Sequence, residues 1–346
     1  MTTLKLLDSA LSKCIQEDLV PVLELHDITC GNDSAALVEL STWYLSPGIL
    51  ELINKYSHSL IINIANEALH VSWTGDAAAA KTKFINTYTY IVAALRAADI
   101  AVPIMIDGPD CGMSLQHLTD MGAALLENDP AHNLVFSTHA YWWAFSEMDS
   151  SVTREMIEEA VAEEIPLVIG EVANLQDDGT PCVYDLDFQS ILHMCREFGI
   201  GWLAWSWDRD ICSERQVTVA GSPDDLTAYG EVILHHPDFG IDEDVVMKSA
   251  YLINDGCSTS GVDNQKSSSP VYLYPNPAQE YVYIRIRAQE DRGWKYSIMD
   301  IHGRVVMSGD LHGSERIDVH SLLSGTYFIQ VFNAQHWWTK NITIQR

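Results

Sequence analysis

The chain has 346 residues, with 20 Lys and Arg against 48 Asp and Glu, for a formal net charge of −28. Hydrophobic residues make up 47% and charged residues 20%, enough apolar material for a packed core of one large or two ordinary domains, so global disorder is excluded. The acid excess argues against a nucleic-acid backbone or an anionic membrane as partner, because both demand a basic footprint, and no run of about eighteen apolar residues marks a membrane span.

The opening residues, MTTLKLLDSALSKC, read as an amphipathic helix without the basic-then-apolar order of a secretory signal. Six short apolar runs follow: VPVLEL (20–25), SLIINIA (59–65), VPIMID (102–107), NLVFST (133–138), PLVIGE (166–171) and GWLAWS (201–206). Between them, 34–55, 81–99, 114–127, 151–164 and 185–198 carry apolar residues at helical spacing, with a further helix expected over 223–235. Strands apolar on both faces and separated by helices predict a parallel sheet covered by helices. No Gly-rich phosphate loop follows any strand, which weakens a nucleotide-binding reading.

Residues 254–270, NDGCSTSGVDNQKSSSP, read as a linker. Beyond it, VYLYPNPAQ, EYVYIRI, KYSIMDIHG, RVVMSG, RIDVHSL, GTYFIQVF and KNITIQ alternate apolar and polar residues between turn signals, which predicts a small antiparallel β-sandwich. Charge divides at the same place: residues 271–346 hold eight Lys/Arg and seven Asp/Glu, leaving net −29 on residues 1–270. All seven cysteines also precede residue 271, without CxxC or other metal-type spacing, so no metal site is expected, and the odd count suggests mostly free or buried thiols.

In a parallel α/β barrel the working residues sit where the strands end and the βα loops open. Those ends carry His26 and Asp27, Asn66 and Glu67, Asp107, His139 and Tyr141, Glu171, then Trp205 and Trp207. A single Glu after a strand is more often a helix N-terminal charge or a solvated loop acid. Two on different strands, each directly ending an apolar run, fit the carboxyl pair of glycoside hydrolysis, one protonating the leaving oxygen and the other attacking the anomeric carbon or activating water. Indole faces suit the apolar face of a pyranose, and although most tryptophans are core filler, Trp205, Trp207, Trp142 and Trp143 lie where a sugar would bind.

The segments VLELHD (22–27), IINIANE (61–67), AALRAADI (93–100), NLVFSTHAYW (133–142), PLVIGE (166–171) and GWLAWSW (201–207) resemble glycoside hydrolase family 5, and look most like its bacterial endo-β-1,4-mannanases. The likeness runs from about Leu19 to LTAYGEVIL (226–234). It implies a (β/α)8 TIM barrel, a retaining mechanism without cofactor, Glu67 as acid/base and Glu171 as nucleophile. It further implies His26 and His139 on the wall near the nucleophile, Tyr141 hydrogen-bonded to it, Asn66 on the sugar 2-hydroxyl and Trp205 stacking in the central subsite; Trp207 joins these as a substrate-binding candidate. The sequence departs from the family pattern at Ala68, Leu69 and His70, at GPDCG (108–112), GEVAN (170–174) and WDRD (207–210). Catalytic positions match while substrate-lining positions differ.

The six strands match the family's third to eighth, so the front domain (1–253) is expected to lack the first two strand-helix units, with an N-terminally truncated product as the reading adopted. The tail resembles the C-terminal sorting domain of the type IX secretion system found in Bacteroidetes, on YPNPAQEYVYI (274–284), MDIHGRVV (299–306), LLSGTYFIQV (322–331) and KNITIQ (340–345). That resemblance implies a partnership of residues 271–346 with the secretion machinery and a secreted or cell-surface enzyme, its signal peptide absent from this chain. A carbohydrate-binding sandwich would instead use Trp337 and Trp338, a pair that also suits packing. The expected function is a secreted retaining endo-β-glycanase cutting mannan; a β-1,4-glucanase of the same fold and a noncatalytic carbohydrate-binding protein are the alternatives.

Overall fold

The computed structural model describes residues 3–17, 19–141, 150–176, 184–241, 271–286, 293–300, 304–311, 315–333 and 337–346. The linker expected at 254–270 lies outside them. The chain forms two compact units, Met1–Arg196 with Ile200–Thr259 and Ser260–Arg346 with Glu197–Gly199.

In the first unit all six apolar runs form strands: β1 (Val22–Glu24), β2 (Ile61–Asn63), β3 (Ile104–Asp107), β4 (Leu134–Ala140), β5 (Leu167–Val172) and, after the short hairpin β6 (Leu175–Gln176) and β7 (Tyr184–Asp185), β8 (Gly201–Ala204). They pair in parallel in the order β1-β2-β3-β4-β5-β8, a part-barrel whose edges among the described residues are β1 and β8. Helix α1 (Thr3–Gln16) precedes them, α2 (Ser34–Ser41), α3 (Pro47–Lys55), α4 (Ala77–Ala97), α5 (Leu115–Asn128), α6 (Ser150–Ala162) and α7 (Phe188–Phe198) intervene, and α8 (Ala228–His235) follows.

Alternation along the strands divides their residues between two faces. Ile62, Ile104, Ile106, Leu134 and Phe136 join Leu37, Phe84, Ile91 and Leu118 of the helices in one apolar core. The opposite parity carries Asn63, Asp107, Ser137 and His139, all nearly inaccessible, so the inner face is polar and leads up to the loops at the strand ends.

Two helix expectations need correction. The stretch 34–55 is broken into α2, a 3₁₀ turn (Thr42–Leu45) and α3, because Ser46 precedes Pro47 and is extended (φ −67°, ψ 138°), as the proline ring forces on its neighbour. The helix expected from 223 starts only at Ala228, where the Thr227 side chain caps it by accepting from the Gly230 N–H.

The second unit has two antiparallel sheets: β9 (Val271–Tyr274) and β10 (Tyr281–Ile286) with β13 (Glu315–Asp318), ordered β13-β10-β9, and β11 (Trp294–Met299), β12 (Val305–Leu311), β14 (Gly325–Phe332) and β15 (Trp337–Ile344), ordered β12-β11-β14-β15. Val282, Ile284, Ile317, Ile298, Ile329, Val331 and Ile342 share one core drawn from both sheets. Trp338 packs against that core with its ring 5.2 Å from Trp294.

Candidate active site

Asn66 and Glu67 come just after β2, beyond Ile64 and Ala65. Glu67 turns the chain in the left-handed region (φ 51°), and its N–H donates to Oδ2 of Asp107 at the end of β3 (3.0 Å) while its carbonyl accepts from the Cys30 N–H (3.2 Å). Two strands away, a register shift between Thr138 and His139 brings His139 opposite Glu171 of β5. The His139 ring reaches three carboxylates: Nδ1 lies 2.7 Å from Glu67 Oε1 and 3.5 Å from Glu171 Oε1, and Nε2 lies 3.5 Å from Asp107 Oδ2. Gly112 (φ 73°) permits this approach, since a Cβ there would stand 2.8 Å from the His139 ring and 3.2 Å from Glu67 Cγ.

One carboxylate oxygen of Glu67, one of Glu171 and a ring nitrogen of His139 fall within 4.8 Å of one another. Burial alone would push the His139 pKa down, but the charges of Glu171 and Asp107 and the hydrogen bond to Glu67 outweigh it and carry it up to about 10. Burial pushes Glu171 up to about 7, opposed by the His139 cation and by the Tyr141 hydroxyl, which donates to Glu171 Oε2. At neutral pH His139 is therefore an imidazolium wedged between acids.

A cleft of about 310 Å³ opens over these groups, lined by His26, Asn66, Glu67, Tyr141, Glu171 and Trp205 from the sequence-based set, together with Thr29, Cys30, Cys111, Met113, Gln176 and Arg215. His139 lies beneath it, 2% exposed. Asn66 donates to Thr29 Oγ1 (3.1 Å), approaches His26 Nε2 (3.4 Å), and leaves its buried Oδ1 without a partner among the described residues. The Trp205 indole N–H donates to Asp210 Oδ2 (2.7 Å), and Arg215 clamps the same carboxylate through Nε and Nη2. The His26 ring lies parallel to Trp205, at 8° and 6.1 Å between centroids.

Trp207 is not brought into the cleft: its indole N–H donates to the Gly221 carbonyl (3.2 Å) and the side chain is exposed. Trp142 and Trp143 lie outside the described residues. A larger cavity of about 400 Å³ beside α8 has Glu214 as the single carboxylate among its lining residues and so no acid pair. Asp107 is read at a strand end without a role, and Asn63, Asp210 and Arg215 are not among the sequence-based candidates. Asp107 ends an apolar strand, a signal shared with Glu67 and Glu171, and Asn63 ties it to Glu24 by donating to both carboxylates (2.9 Å each). Asp210 and Arg215 lie in the WDRD stretch and just after it, where the pattern departs from the family.

The cysteine expectation is corrected. Cys30 and Cys111 form a disulfide with Cα atoms 4.6 Å apart, and Cys212 is disulfide-bonded as well; Cys14 and Cys195 are free. Loops following β1 and β3 meet above β2, so residues 81 positions apart become neighbours.

Residues 1–210 match the family described as Cellulase (glycosyl hydrolase family 5), and residues 272–345 match the secretion system C-terminal sorting domain. The chain is 34% identical over 192 residues to a mannan endo-1,4-beta-mannosidase of Salipaludibacillus agaradhaerens, covering 56% of this chain and 57% of that protein. It is 31% identical over 192 residues to a beta-mannanase/endoglucanase A of Caldicellulosiruptor saccharolyticus, covering 54% of this chain and 13% of the relative. It thus spans little more than half of the first relative's length. The catalytic domain of a mannanase from Streptomyces sp. SirexAA-E superposes with a TM-score of 0.59 at 28% identity, over 69% of this chain and 72% of that one.

Proposed function

The chain belongs to glycosyl hydrolase family 5, and from that premise we propose that it is a retaining endo-β-glycanase acting on β-1,4-linked mannan, with Glu67 as acid/base and Glu171 as nucleophile. The observation that carries the reading is the acid pair, of which one oxygen from each carboxyl lies within 4.8 Å of the other. Retaining enzymes hold their carboxyls roughly 5–5.5 Å apart, whereas inverting ones need roughly 6.5–9.5 Å to admit water between them.

In the first step Glu171 attacks the anomeric carbon while the Glu67 carboxyl gives its proton to the departing glycosidic oxygen. In the second, Glu67 takes a proton from water as that water displaces Glu171 from the same carbon. The Tyr141 hydroxyl orients Glu171, and the His139 imidazolium offsets negative charge shared by both acids. Trp205 offers the sugar an apolar face, and the unpartnered Asn66 Oδ1 offers an acceptor for a sugar hydroxyl.

Mannan is favoured by the mannanase names of the relatives; the endoglucanase in one of those names supports β-1,4-glucan as the second reading. We assign residues 1–253 to the hydrolase, 254–270 to a linker, and 271–346 to an export module that delivers the enzyme outside the cell through type IX secretion. Reducing-sugar release from β-mannan, carboxymethylcellulose and xylan tests the activity. Mannan turnover that Glu171→Ala abolishes without loss of fold is expected; undiminished turnover by that variant refutes the assignment.

A further inference from the structure

The Cys30–Cys111 disulfide stands at the acid/base. It joins the loops after β1 and β3 and so passes over β2, the strand that delivers Glu67. Cys30 Sγ lies 3.3 Å from Glu67 Oε2, and both cysteines line the cleft. A disulfide sulfur carries no hydrogen, so this contact is not a hydrogen bond. Glu67 therefore has two distinct oxygens: Oε1 faces the His139 N–H, and Oε2 faces sulfur.

The surrounding backbone is unusual. Cys30, Glu67, Leu69, Asp110 and Cys111 all have φ between 51° and 72°, a region unfavourable for residues with a Cβ. Hydrogen bonds knit the three loops together: the Leu69 N–H donates to Gly31 O (2.7 Å), the Asp110 N–H to Leu69 O (3.0 Å), and the Val71 and Ser72 N–H groups to the Asp110 carboxylate (2.8 and 3.0 Å). Such conformations persist only where the surroundings over-determine them, and the crosslink is the covalent part of those surroundings.

We propose that Cys30–Cys111 is a positioning pair for the acid/base. It holds the loops on either side of Glu67 in their left-handed form and presents a proton-free surface to Oε2, leaving that oxygen to carry the proton given to the leaving group. The proposal rests on the assignment of Glu67 made above.

The test exploits the fact that an aryl glycoside with a dinitrophenolate leaving group departs without protonation, whereas a mannooligosaccharide does not. In Cys30→Ala/Cys111→Ala, kcat/KM on mannohexaose is expected to fall about tenfold or more, part of the roughly 10²–10⁴ that a positioned general acid contributes, with a change under about threefold on dinitrophenyl β-mannobioside. The ratio of the two rates does not depend on the fraction of protein folded. Cys111→Ser alone, which opens the bridge with little change in volume, provides the same readout if the double variant does not fold. Equal losses on both substrates, or none on either, overturn the positioning role. A parent inert on both, or a Glu67→Ala loss equal on the two, overturns instead the assignment beneath it.

Discussion

His139 Nδ1 lies 2.7 Å from Glu67 Oε1, and the same nitrogen lies 3.5 Å from Glu171 Oε1, so one buried ring joins the two acids that a glycosidase mechanism must keep in different protonation states. Because Glu171 sits up at about 7, the ionised form that the proposed nucleophile needs is lost as pH falls through that value. We expect kcat/KM to rise with pH through about 7. Removing the imidazolium takes away a charge that favours the carboxylate, so His139→Asn should move the limb upward. Loss of a charge-assisted hydrogen bond, about 1.5–3 kcal/mol, should also lower kcat/KM by roughly 10- to 100-fold at neutral pH. An unmoved limb, measured by initial rates across pH, contradicts this account.

Stereochemistry follows from the spacing of Glu67 and Glu171. Proton NMR of the first product formed from mannohexaose should show the β-anomer, with the α-anomer growing in only by mutarotation. Initial appearance of the α-anomer would contradict the retaining assignment.

The Trp205 indole, the proposed sugar platform, is held by Asp210, which accepts its N–H and pairs with the buried Arg215. Asp210→Ala releases the indole and leaves Arg215 without this partner. We expect KM for mannohexaose to rise about tenfold, corresponding to a loss near 1.4 kcal/mol, with kcat changing much less. Asp210→Asn keeps an acceptor and should lie between the two. Steady-state kinetics on both variants settles the order.

Arg96 of α4 donates to both oxygens of Asp129 and to the carbonyls of Ile100, Val102 and Asn133, tying the C-terminal end of α4 to the entries of β3 and β4. Burial would raise the Asp129 pKa, but Arg96 and the backbone N–H groups of Asn133 and Ala131 hold it below the usual carboxylate range. A depressed carboxylate stabilises the fold above its unfolded pKa, and that contribution disappears as pH falls through the folded value. Arg96→Ala, which strands a buried charge, should cost about 3–5 kcal/mol in urea unfolding at neutral pH and less at low pH, where Asp129 is protonated.

The sequence by itself determined the six parallel strands, the seven antiparallel strands of the tail and the candidate residues at or near the strand ends. Hydrophobic periodicity is a local property, and an acid directly ending an apolar run must stand at a strand's end whatever the remainder of the chain does. Local pattern also misleads locally, as at 34–55, where Pro47 interrupts a periodicity that continues on both sides. Tertiary structure alone decided which ends face one another. It paired Cys30 with Cys111, put Asp107 beneath His139, turned Trp207 toward Gly221, and fixed Trp205 through Asp210 and Arg215. Each of these depends on strand order and loop geometry, and sequence spacing carries no information about the few ångströms that separate a hydrogen bond or a disulfide from an accidental neighbour.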